Sequence, residues 1–432
     1  MVRSVAGACV ALLMCAYLAV SAVAAFPYQP GADFYQFWGV PVAKRAVGAR
    51  DTPYVDAQGY AQVLNGISDA SSSEKLHAAN SMRRVLEPMG TPFLYAIFAL
   101  FPRDYERAQG LFVTLIYVSA GLGLFLLARL RGLAVWTAAC VALAVELTFA
   151  PFMVDVRAAN VNSLQLAFIA ASIAYAARPV HCANALAGGI YLGLLAVFVV
   201  FKPNMLWIAL ALAIHYGLSR GVRSLIAGSG VAALFAIAAG VVGALYFQDS
   251  SAWREWLSFA GRMEGGLPLT LEEGNQSIAM FLSRHAQSFG AIGYGLIIGA
   301  AVLLAFLIAM SAAGKRTDLL LPAAKRAFAS PWFAANIGVL FTFATSPLVW
   351  SHYFVLALVP IVWLFGRDGV TGVGTWGAVL CYCALSRVTI DFLITGDQLT
   401  ALYAVTLLSW VALLPGLLAY AAEQRRSLEA AA

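Results

Sequence analysis

The chain has 432 residues, of which 62% are hydrophobic and 11% are charged, and its mean hydropathy is +0.81. A soluble chain carries roughly 45–50% apolar and about 25% charged residues, so this composition excludes an ordinary soluble globular protein and predicts an all-α polytopic membrane protein. The 27 basic and 21 acidic residues give a net charge of +6. This modest excess fits contact with the anionic lipids of a bilayer, and the absence of a basic stripe with interleaved aromatic residues argues against nucleic acid.

About twelve apolar segments follow in chain order, each near the roughly 20 residues that a transmembrane helix needs. The first follows Arg3 and ends in small residues, as a signal peptide would, but its apolar region is longer than a usual signal core. We therefore expect an uncleaved first helix. The segments lie near 5–26, 106–128, 134–152, 161–177, 184–201, 204–219, 224–247, 289–311, 330–346, 352–366, 370–390 and 398–420.

Three interruptions have a predictable local structure. The segment 91–102 is too short to span a bilayer and is expected to form a half-buried or interfacial helix. Between 184–201 and 204–219 the chain reads FKPN, and the proline predicts a break or kink. The serine-rich stretch at 68–73 predicts a turn.

The distribution of Lys and Arg predicts that both termini are cytoplasmic, because short cytoplasmic loops carry an excess of these residues. Arg129, Arg131 and Arg367 are typical members of this inner set. Two large segments, 27–105 and 248–288, are then outer loops. Arg157 and Lys202 are exceptions, since both fall in short connections on the predicted outer side.

An acidic residue stands just past the first apolar segment, in the stretch PYQPGADFYQFWG at 27–39. Aromatic residues are expected as anchors at a membrane interface, but a charge near the hydrocarbon boundary is costly unless it is paired or used. Asp33 is therefore a candidate functional residue. Its aromatic neighbours are Phe34, Tyr35, Phe37 and Trp38.

Other polar residues cluster at helix ends on the same predicted side, whereas the inner helix ends carry mostly Arg and Lys. This asymmetry predicts a polar cavity that opens outward beneath the two large loops. The residues are Asp155, Arg157, Asn160, Asn162, Lys202, Asn204, Asn275, Gln276, Arg284, Trp350 and His352. The six cysteines form no Cys-x-x-Cys pair, and no spacing among Asp33, Asp155 and His352 suggests a metal site.

Several motifs follow one another along the chain: DFYQFW, PY at 53–54, the N-V-N stretch at 160–162, FKPN, GNQSIAMFLSR and SPLVWSHYFVLALVP. In this order they resemble glycosyltransferase family 87, the polyprenyl-phosphate-mannose-dependent α-mannosyltransferases, over roughly residues 5–366. That family often has Gly-Gln-Val-Asn where this chain has Ala-Asn-Val-Asn at 159–162. It commonly has Lys-Pro-Gln where this chain has Lys-Pro-Asn at 202–204.

The resemblance implies a single GT-C-type domain over residues 1–432, in the plasma membrane of a bacterium, with a periplasmic or extracellular active face. It implies transfer of a monosaccharide, mannose being the usual one, from a polyprenyl-phosphate donor to a glycolipid or polysaccharide acceptor. The lipid-linked donor is a substrate, and no cofactor is expected. A first-loop aspartate is the family's catalytic base, which corresponds to Asp33 here.

The predicted site follows from these roles. Asp33 and His352 are the catalytic candidates, and Arg157, Lys202 and Arg284 are the candidates for binding the donor phosphate. Aromatic burial is expected to raise the pKa of Asp33, and a single carboxylate is sufficient for transfer with inversion. The substrate-binding candidates are Tyr35, Trp38, Asn160, Asn162, Asn275, Gln276 and Trp350.

Each assignment has a structural alternative. Asp33 could cap a helix that begins at Phe34, and Asn160 and Asn162 could join helices. Arg157 could pair with Asp155, or Arg157 and Lys202 could extend to lipid headgroups. His352 could be an interfacial residue that is hydrogen-bonded to a backbone carbonyl. Asn275 and Gln276 could cap the following helix. For the whole chain, the alternative function is a transporter or flippase for a lipid-linked sugar.

Overall fold

The computed structural model describes residues 30–47, 51–178, 185–262, 275–286, 288–395 and 398–431. The predicted span near 5–26 lies outside the described residues. Within them the regular structure is helical, so the chain is an all-α protein. Along the first part of the chain the helices are Ala32–Val47, Ala57–Asp69, Glu74–Met82, Pro92–Phe98, Tyr105–Leu130, Val135–Thr148, Ala150–Ala158, Asn162–Ala176, Ala185–Phe201 and Leu206–Arg220.

From residue 222 onward the chain is again helical, with short 3₁₀ turns at Thr317–Leu319, Ser351–Ala357 and Trp410–Leu413. A further 3₁₀ turn, Pro203–Met205, lies in the first part. The α-helices of the second part are Val222–Phe247, Ala252–Arg262, Ile278–Ala286, Ala291–Ala312, Leu320–Phe328, Pro331–Thr345, Leu358–Leu364, Val373–Ala384, Arg387–Thr395, Leu399–Ser409 and Leu414–Glu429.

Four described helices are long and apolar enough to cross a bilayer, and a fifth span results if one pair, bent by 93°, is counted as one. These helices indicate a multi-pass membrane protein. The four are Tyr105–Leu130, Val222–Phe247, Ala291–Ala312 and Ala404–Glu429, and the bent pair is Thr317–Phe328 with Pro331–Thr345.

Other predicted spans form shorter or broken helices. The segment 134–152 is divided at Phe149, which has an extended backbone (φ −95°, ψ 107°) before Pro151. Its first part, Val135–Thr148, has 14 residues. At 1.5 Å per residue that helix is about 21 Å long, short of the roughly 30 Å hydrocarbon core. The described residues thus show four or five of the roughly twelve predicted spans as helices long enough to cross a bilayer.

The three local predictions are confirmed. Residues Pro92–Phe98 form a short helix whose Leu94 and Tyr95 are fully buried. A helix ends at Phe201 and the next begins at Leu206, with a 3₁₀ turn between them. The serine-rich stretch connects Asp69 to Glu74, and Ser73 caps the following helix by accepting a hydrogen bond from the Leu76 amide.

The helix Ala32–Val47 is packed by its aromatic residues onto one end of the bundle. Phe34 is fully buried, and its ring centroid lies 5.2 Å from that of Phe112 and 5.8 Å from that of Tyr105. Burial of each such ring contributes on the order of 1.5–3 kcal/mol. This packing fixes the helix that carries Asp33.

Close helix pairs are made possible by glycine. A Cβ atom at Gly338 would lie 2.5 Å from the Cα of Ile208, where Pro331–Thr345 crosses Leu206–Arg220. A Cβ atom at Gly123 would lie 3.0 Å from the Cα of Ala167. Small residues at such crossings are typical of helix packing in membranes.

Candidate active site

Asp33 occupies the first turn of the helix Ala32–Val47, which begins directly after Gly31 in a positive-φ turn (φ +70°). The helix thus starts one residue before Asp33, and no cap for a helix starting at Phe34 is formed. Its carboxylate is 15% exposed. Instead of the helix backbone, it contacts side chains from distant parts of the chain.

Three side chains surround this carboxylate. Nη2 of Arg83 lies 3.0 Å from Oδ1, and Nδ2 of Asn160 donates to Oδ2 at 2.7 Å. Nε2 of His352 lies 3.7 Å from Oδ2 and 3.2 Å from Nδ2 of Asn160. The structure therefore brings together Asp33, Asn160 and His352, three residues that were predicted separately from the sequence.

Asn160 is held by an unusual turn. Ala159 adopts the left-handed conformation (φ 52°, ψ 61°), which is uncommon for a residue with a side chain. Behind it, the buried carboxylate of Asp155 accepts hydrogen bonds from Nδ2 of Asn162 at 2.9 Å and from the hydroxyl of Ser163 at 2.6 Å. Asp155 thus fixes the turn that presents Asn160 to Asp33.

His352 is positioned by the segment 275–277. Oδ1 of Asn275 accepts from the Val349 amide at 3.0 Å, and its Nδ2 donates to the Pro347 carbonyl at 3.1 Å. Nε2 of Gln276 donates to the hydroxyl of Ser351 at 2.8 Å. Both side chains are buried. They hold the loop that leads into His352, and their described hydrogen bonds do not include Asp33.

Lys202 supplies a second cation to this region. It lies in the break between the helix that ends at Phe201 and the 3₁₀ turn that begins at Pro203. Its Nζ lies 5.5 Å from the ring centroid of Phe37 and 6.0 Å from that of Tyr353, within cation–π range.

Asp33, Asn160 and Lys202 line a small cavity, about 40 Å³ in volume, whose lining does not include His352. A cavity of that size holds water molecules only, whereas ligand pockets are roughly 300–1,000 Å³. A sugar would therefore require the walls to move apart. The lining residues are Asp33, Gln36, Phe37, Arg83, Glu87, Met89, Asn160, Lys202, Leu348, Trp350 and Tyr353.

The expected rise in the pKa of Asp33 is wrong in direction. Burial does raise the pKa of this carboxyl, but His352, Arg83, the Asn160 hydrogen bond and Lys202 together lower it below the ordinary value. Asp33 is therefore ionised at neutral pH. The aromatic residues predicted the burial correctly, and the neighbouring cations and donors, which act in the opposite direction, outweigh it.

Several predicted site residues lie away from the cavity. The hydroxyl of Tyr35 donates to Oδ1 of Asn80 at 2.6 Å, and Nε1 of Trp38 donates to the Pro102 carbonyl at 3.0 Å. Both rings belong to the buried core, so they offer no face to a sugar. Asn162 is fully buried behind the site.

The three predicted phosphate-binding cations separate in the structure. Lys202 lines the cavity, whereas Arg157 and Arg284 are exposed side chains outside its lining. Arg157 belongs to the last turn of Ala150–Ala158, and Arg284 to the last turn of Ile278–Ala286. Trp350, a predicted substrate contact, does line the cavity.

Arg83 forms the ion pair with Asp33 but was not among the residues predicted from the sequence. It follows the helix Glu74–Met82 in the first large loop, and its Nη1 lies 3.6 Å from Oε2 of Glu87. The available signal was the Arg83–Arg84 pair in a loop predicted to lie outside, where basic residues are unexpected. The rule that assigns topology from Lys and Arg applies to short loops, so this pair in a long loop did not mark Arg83 as a candidate.

Among the described residues, no group of three or more His, Cys, Asp or Glu side chains is arranged to hold a metal ion. Comparison with protein-family models, with curated proteins and with solved structures finds no match to this chain.

Proposed function

We propose that this chain is an integral membrane glycosyltransferase that uses a polyprenyl-phosphate sugar donor, with Asp33 as the general base. One observation carries the proposal: a largely buried, ionised carboxylate is surrounded by Asn160, His352 and Arg83, from well-separated parts of the chain. Such convergence of polar groups on one acid is typical of an active site. The motif series and its resemblance to glycosyltransferase family 87 supply the reaction class, the GT-C fold and the arrangement of about twelve spans.

The reaction asks one carboxylate to act as a base. Asp33 accepts the proton of the acceptor hydroxyl while the hydroxyl oxygen forms a bond to the anomeric carbon of the donor. The bond between that carbon and the phosphate oxygen breaks, and polyprenyl phosphate leaves with the electron pair. Direct attack inverts the anomeric centre, so no second carboxylate is needed. Asn160, which donates to Oδ2 of Asp33, orients the base.

Arg83 and Lys202 are the cations suited to the leaving phosphate. Charge-assisted hydrogen bonds to a phosphate are stronger than neutral ones, and the charge that develops on the phosphate gains most from cations fixed in a partly buried site. In the described state Arg83 is paired with Asp33. The donor phosphate would compete for Arg83, and separation of the pair would both free the base and enlarge the small cavity.

The backbone at Ala159 supports the resemblance independently of the side chains. The family often has glycine at this position of its Gly-Gln-Val-Asn motif, and Ala159 adopts the left-handed conformation that glycine favours (φ 52°). The motif therefore has a structural reason in this chain: a left-handed residue turns the backbone so that Asn160 reaches Asp33.

The proposal is tested by Asp33→Asn in purified protein given a panel of polyprenyl-phosphate sugars and an acceptor, with products followed by mass spectrometry. Asn keeps the shape of Asp but accepts no proton, so turnover should fall by about 10²–10⁴-fold, the range for a lost general base. The protein should remain folded, with a modestly lower melting temperature, because the substitution removes the ion pair with Arg83.

Asp56→Asn is the matched control, because Asp56 caps the helix Ala57–Asp69 through the Gly59 amide and Asn caps about as well. It should remain fully active. Full activity of Asp33→Asn would refute the base. If no sugar is transferred by the wild type but lipid-linked sugar crosses vesicle membranes, the transporter or flippase alternative replaces the transferase.

A further inference from the structure

A large apolar groove lies at the end of the bundle opposite Asp33. Its volume is about 580 Å³, which is within the range of small-molecule sites. The helix Tyr105–Leu130 relates the two ends: Tyr105 packs against Phe34 beside the candidate active site, and Ala128 lines the groove. At 1.5 Å per residue, Tyr105 and Ala128 are separated by about 35 Å along this helix.

The walls of the groove are contributed by four helices and the connections between them. The apolar side chains come from Tyr105–Leu130, Val135–Thr148, Leu358–Leu364 and Val373–Ala384. The principal apolar lining residues are Leu133, Val141, Val145, Ile361, Val362 and Val379. An apolar groove between the helices of a membrane protein is suited to a hydrocarbon chain, because water in the groove would contact its apolar walls, which is unfavourable.

One charged residue lines the groove. Arg131 follows the helix Tyr105–Leu130, and its Nη2 donates to the Phe365 carbonyl at 3.2 Å. No carboxylate of the described residues forms an ion pair with it. Partial burial, followed by the nearby positive charge of Arg367, lowers the pKa of Arg131. An anion at this place would relieve both unfavourable effects.

We propose that this groove binds an anionic glycerophospholipid, with an acyl chain along the apolar walls and the phosphate headgroup at Arg131. The combination of hydrocarbon walls and one cation at the mouth matches the two parts of such a lipid. Basic pockets between membrane helices are known to recognise anionic headgroups. The Lys and Arg distribution predicts that this end faces the cytoplasm, where anionic lipids are enriched. The site is independent of the proposed transferase activity.

Native mass spectrometry of the full-length protein tests the site with phosphatidylglycerol and phosphatidylcholine of identical acyl chains. The wild type should retain phosphatidylglycerol in preference. Arg131→Gln should reduce that preference by about ten-fold, the loss expected for a charge-assisted hydrogen bond. Arg223 is an exposed residue in the first turn of the helix Val222–Phe247 and is not part of the groove lining, so Arg223→Gln should leave the preference unchanged.

The apolar walls are tested by a pair of tryptophan substitutions on one helix. Val379→Trp fills the groove, whereas Leu380→Trp adds the same ring one residue later, at an exposed position outside it. Only Val379→Trp should lower lipid retention, with thermal unfolding checked for both proteins. Equal retention of the two lipids by the wild type, or undiminished phosphatidylglycerol binding in both Arg131→Gln and Val379→Trp, would overturn the proposal.

Discussion

Nη2 of Arg83 lies 3.0 Å from Oδ1 of Asp33, so the proposed base is already paired with a cation. The two side chains are 28% and 15% exposed, respectively. A partly buried pair of this kind is screened less than a surface ion pair. Arg83 therefore helps to keep Asp33 ionised, and the ion pair holds both side chains in place. A competing anion with its own hydrogen-bonding oxygens is suited to separate them.

The first prediction concerns Arg83→Gln. If Arg83 binds the donor phosphate during transfer, kcat/KM for the lipid-linked donor should fall by about 10–100-fold, since a charge-assisted hydrogen bond contributes roughly 1.5–3 kcal/mol. The measurement is steady-state transfer of a radiolabelled sugar at several donor concentrations.

Arg84→Gln provides the control, because Arg84 is the adjacent exposed arginine of the same loop and does not line the cavity. It should behave as the wild type. An Arg83→Gln variant with unchanged or higher kcat/KM would mean that Arg83 only neutralises Asp33 and has no part in binding donor.

The second prediction separates two cations that share a predicted role, Lys202 and Arg157. Lys202→Gln should weaken donor use by a similar factor, because Lys202 lines the cavity beside Asp33. Arg157→Gln should have little effect, since its side chain is exposed outside the cavity. Donor titrations of both variants decide the matter. Equal loss in the two would assign Arg157 a role in donor binding that the described geometry does not provide.

The third prediction is a pH dependence. The folded-state pKa of Asp33 is lowered from 3.8. Because the pKa is lowered on folding, ionised Asp33 stabilises the folded protein at any pH above the pKa that this carboxyl has in the unfolded chain. That stabilisation is lost as the pH falls through the lower pKa of the folded protein. Activity should therefore show no acid limb from Asp33 above about pH 4.

In Arg83→Gln the raising effect of burial is less opposed, and any acid limb should move toward higher pH. The check is kcat/KM across the acidic range in both proteins, with thermal unfolding recorded at each pH. A wild-type limb near pH 6 that disappears in Asp33→Asn would contradict the lowered pKa.

Sequence patterns predicted the position and burial of Asp33 but only part of its surroundings. A carboxylate among four aromatic residues pointed to a functional site, and Asn160 and His352 were found because each lies at a predicted outer helix end. Arg83 and Glu87 follow the helix Glu74–Met82 in a large predicted loop, and no motif in that loop indicated which of its residues would contact the helix Ala32–Val47.

Two residues that were predicted to bind substrate lie instead in the buried core, because the sequence did not show which way their helix faces. Tyr35 and Trp38 follow Asp33 on the helix Ala32–Val47, but their rings turn into the bundle, where each finds a hydrogen-bond acceptor. When a helix carries apolar residues on all of its faces, as this one does, its neighbours in the fold decide which face is buried. Apolar residues dominate the chain, and this predicted the membrane class. They also continue through the breaks at Phe149 and before Leu358, so composition could not show where the helices end.

The fourth prediction concerns helix packing. Gly338→Ala should destabilise the protein by about 1–3 kcal/mol, because the added methyl group would lie 2.5 Å from the Cα of Ile208 and backbone must move. Gly230→Ala is the matched control: it also lies inside a helix, Val222–Phe247, but its Cβ would meet open space. That substitution should be neutral or slightly stabilising. Thermal unfolding in detergent should rank the two variants in that order, and equal melting temperatures would contradict the close approach of the two helices.

The last prediction distinguishes a structural clamp from a substrate contact at Asn275. Its side chain accepts from the amides of Ser277 and Val349 and donates to the Pro347 carbonyl. Asn275→Ala would leave buried backbone groups without partners, at a cost of about 1–3 kcal/mol for such a group. We expect a lower melting temperature together with a fall in kcat, because the loop held by Asn275 leads into His352. Asn275→Asp keeps an acceptor for both amides, but it places a buried carboxylate oxygen against the Pro347 carbonyl that Nδ2 contacts at 3.1 Å, so it should recover only part of the stability and the activity. If Asn275 instead contacted the substrate, Asn275→Ala would raise KM while the melting temperature stayed unchanged, and Asn275→Asp would not restore KM.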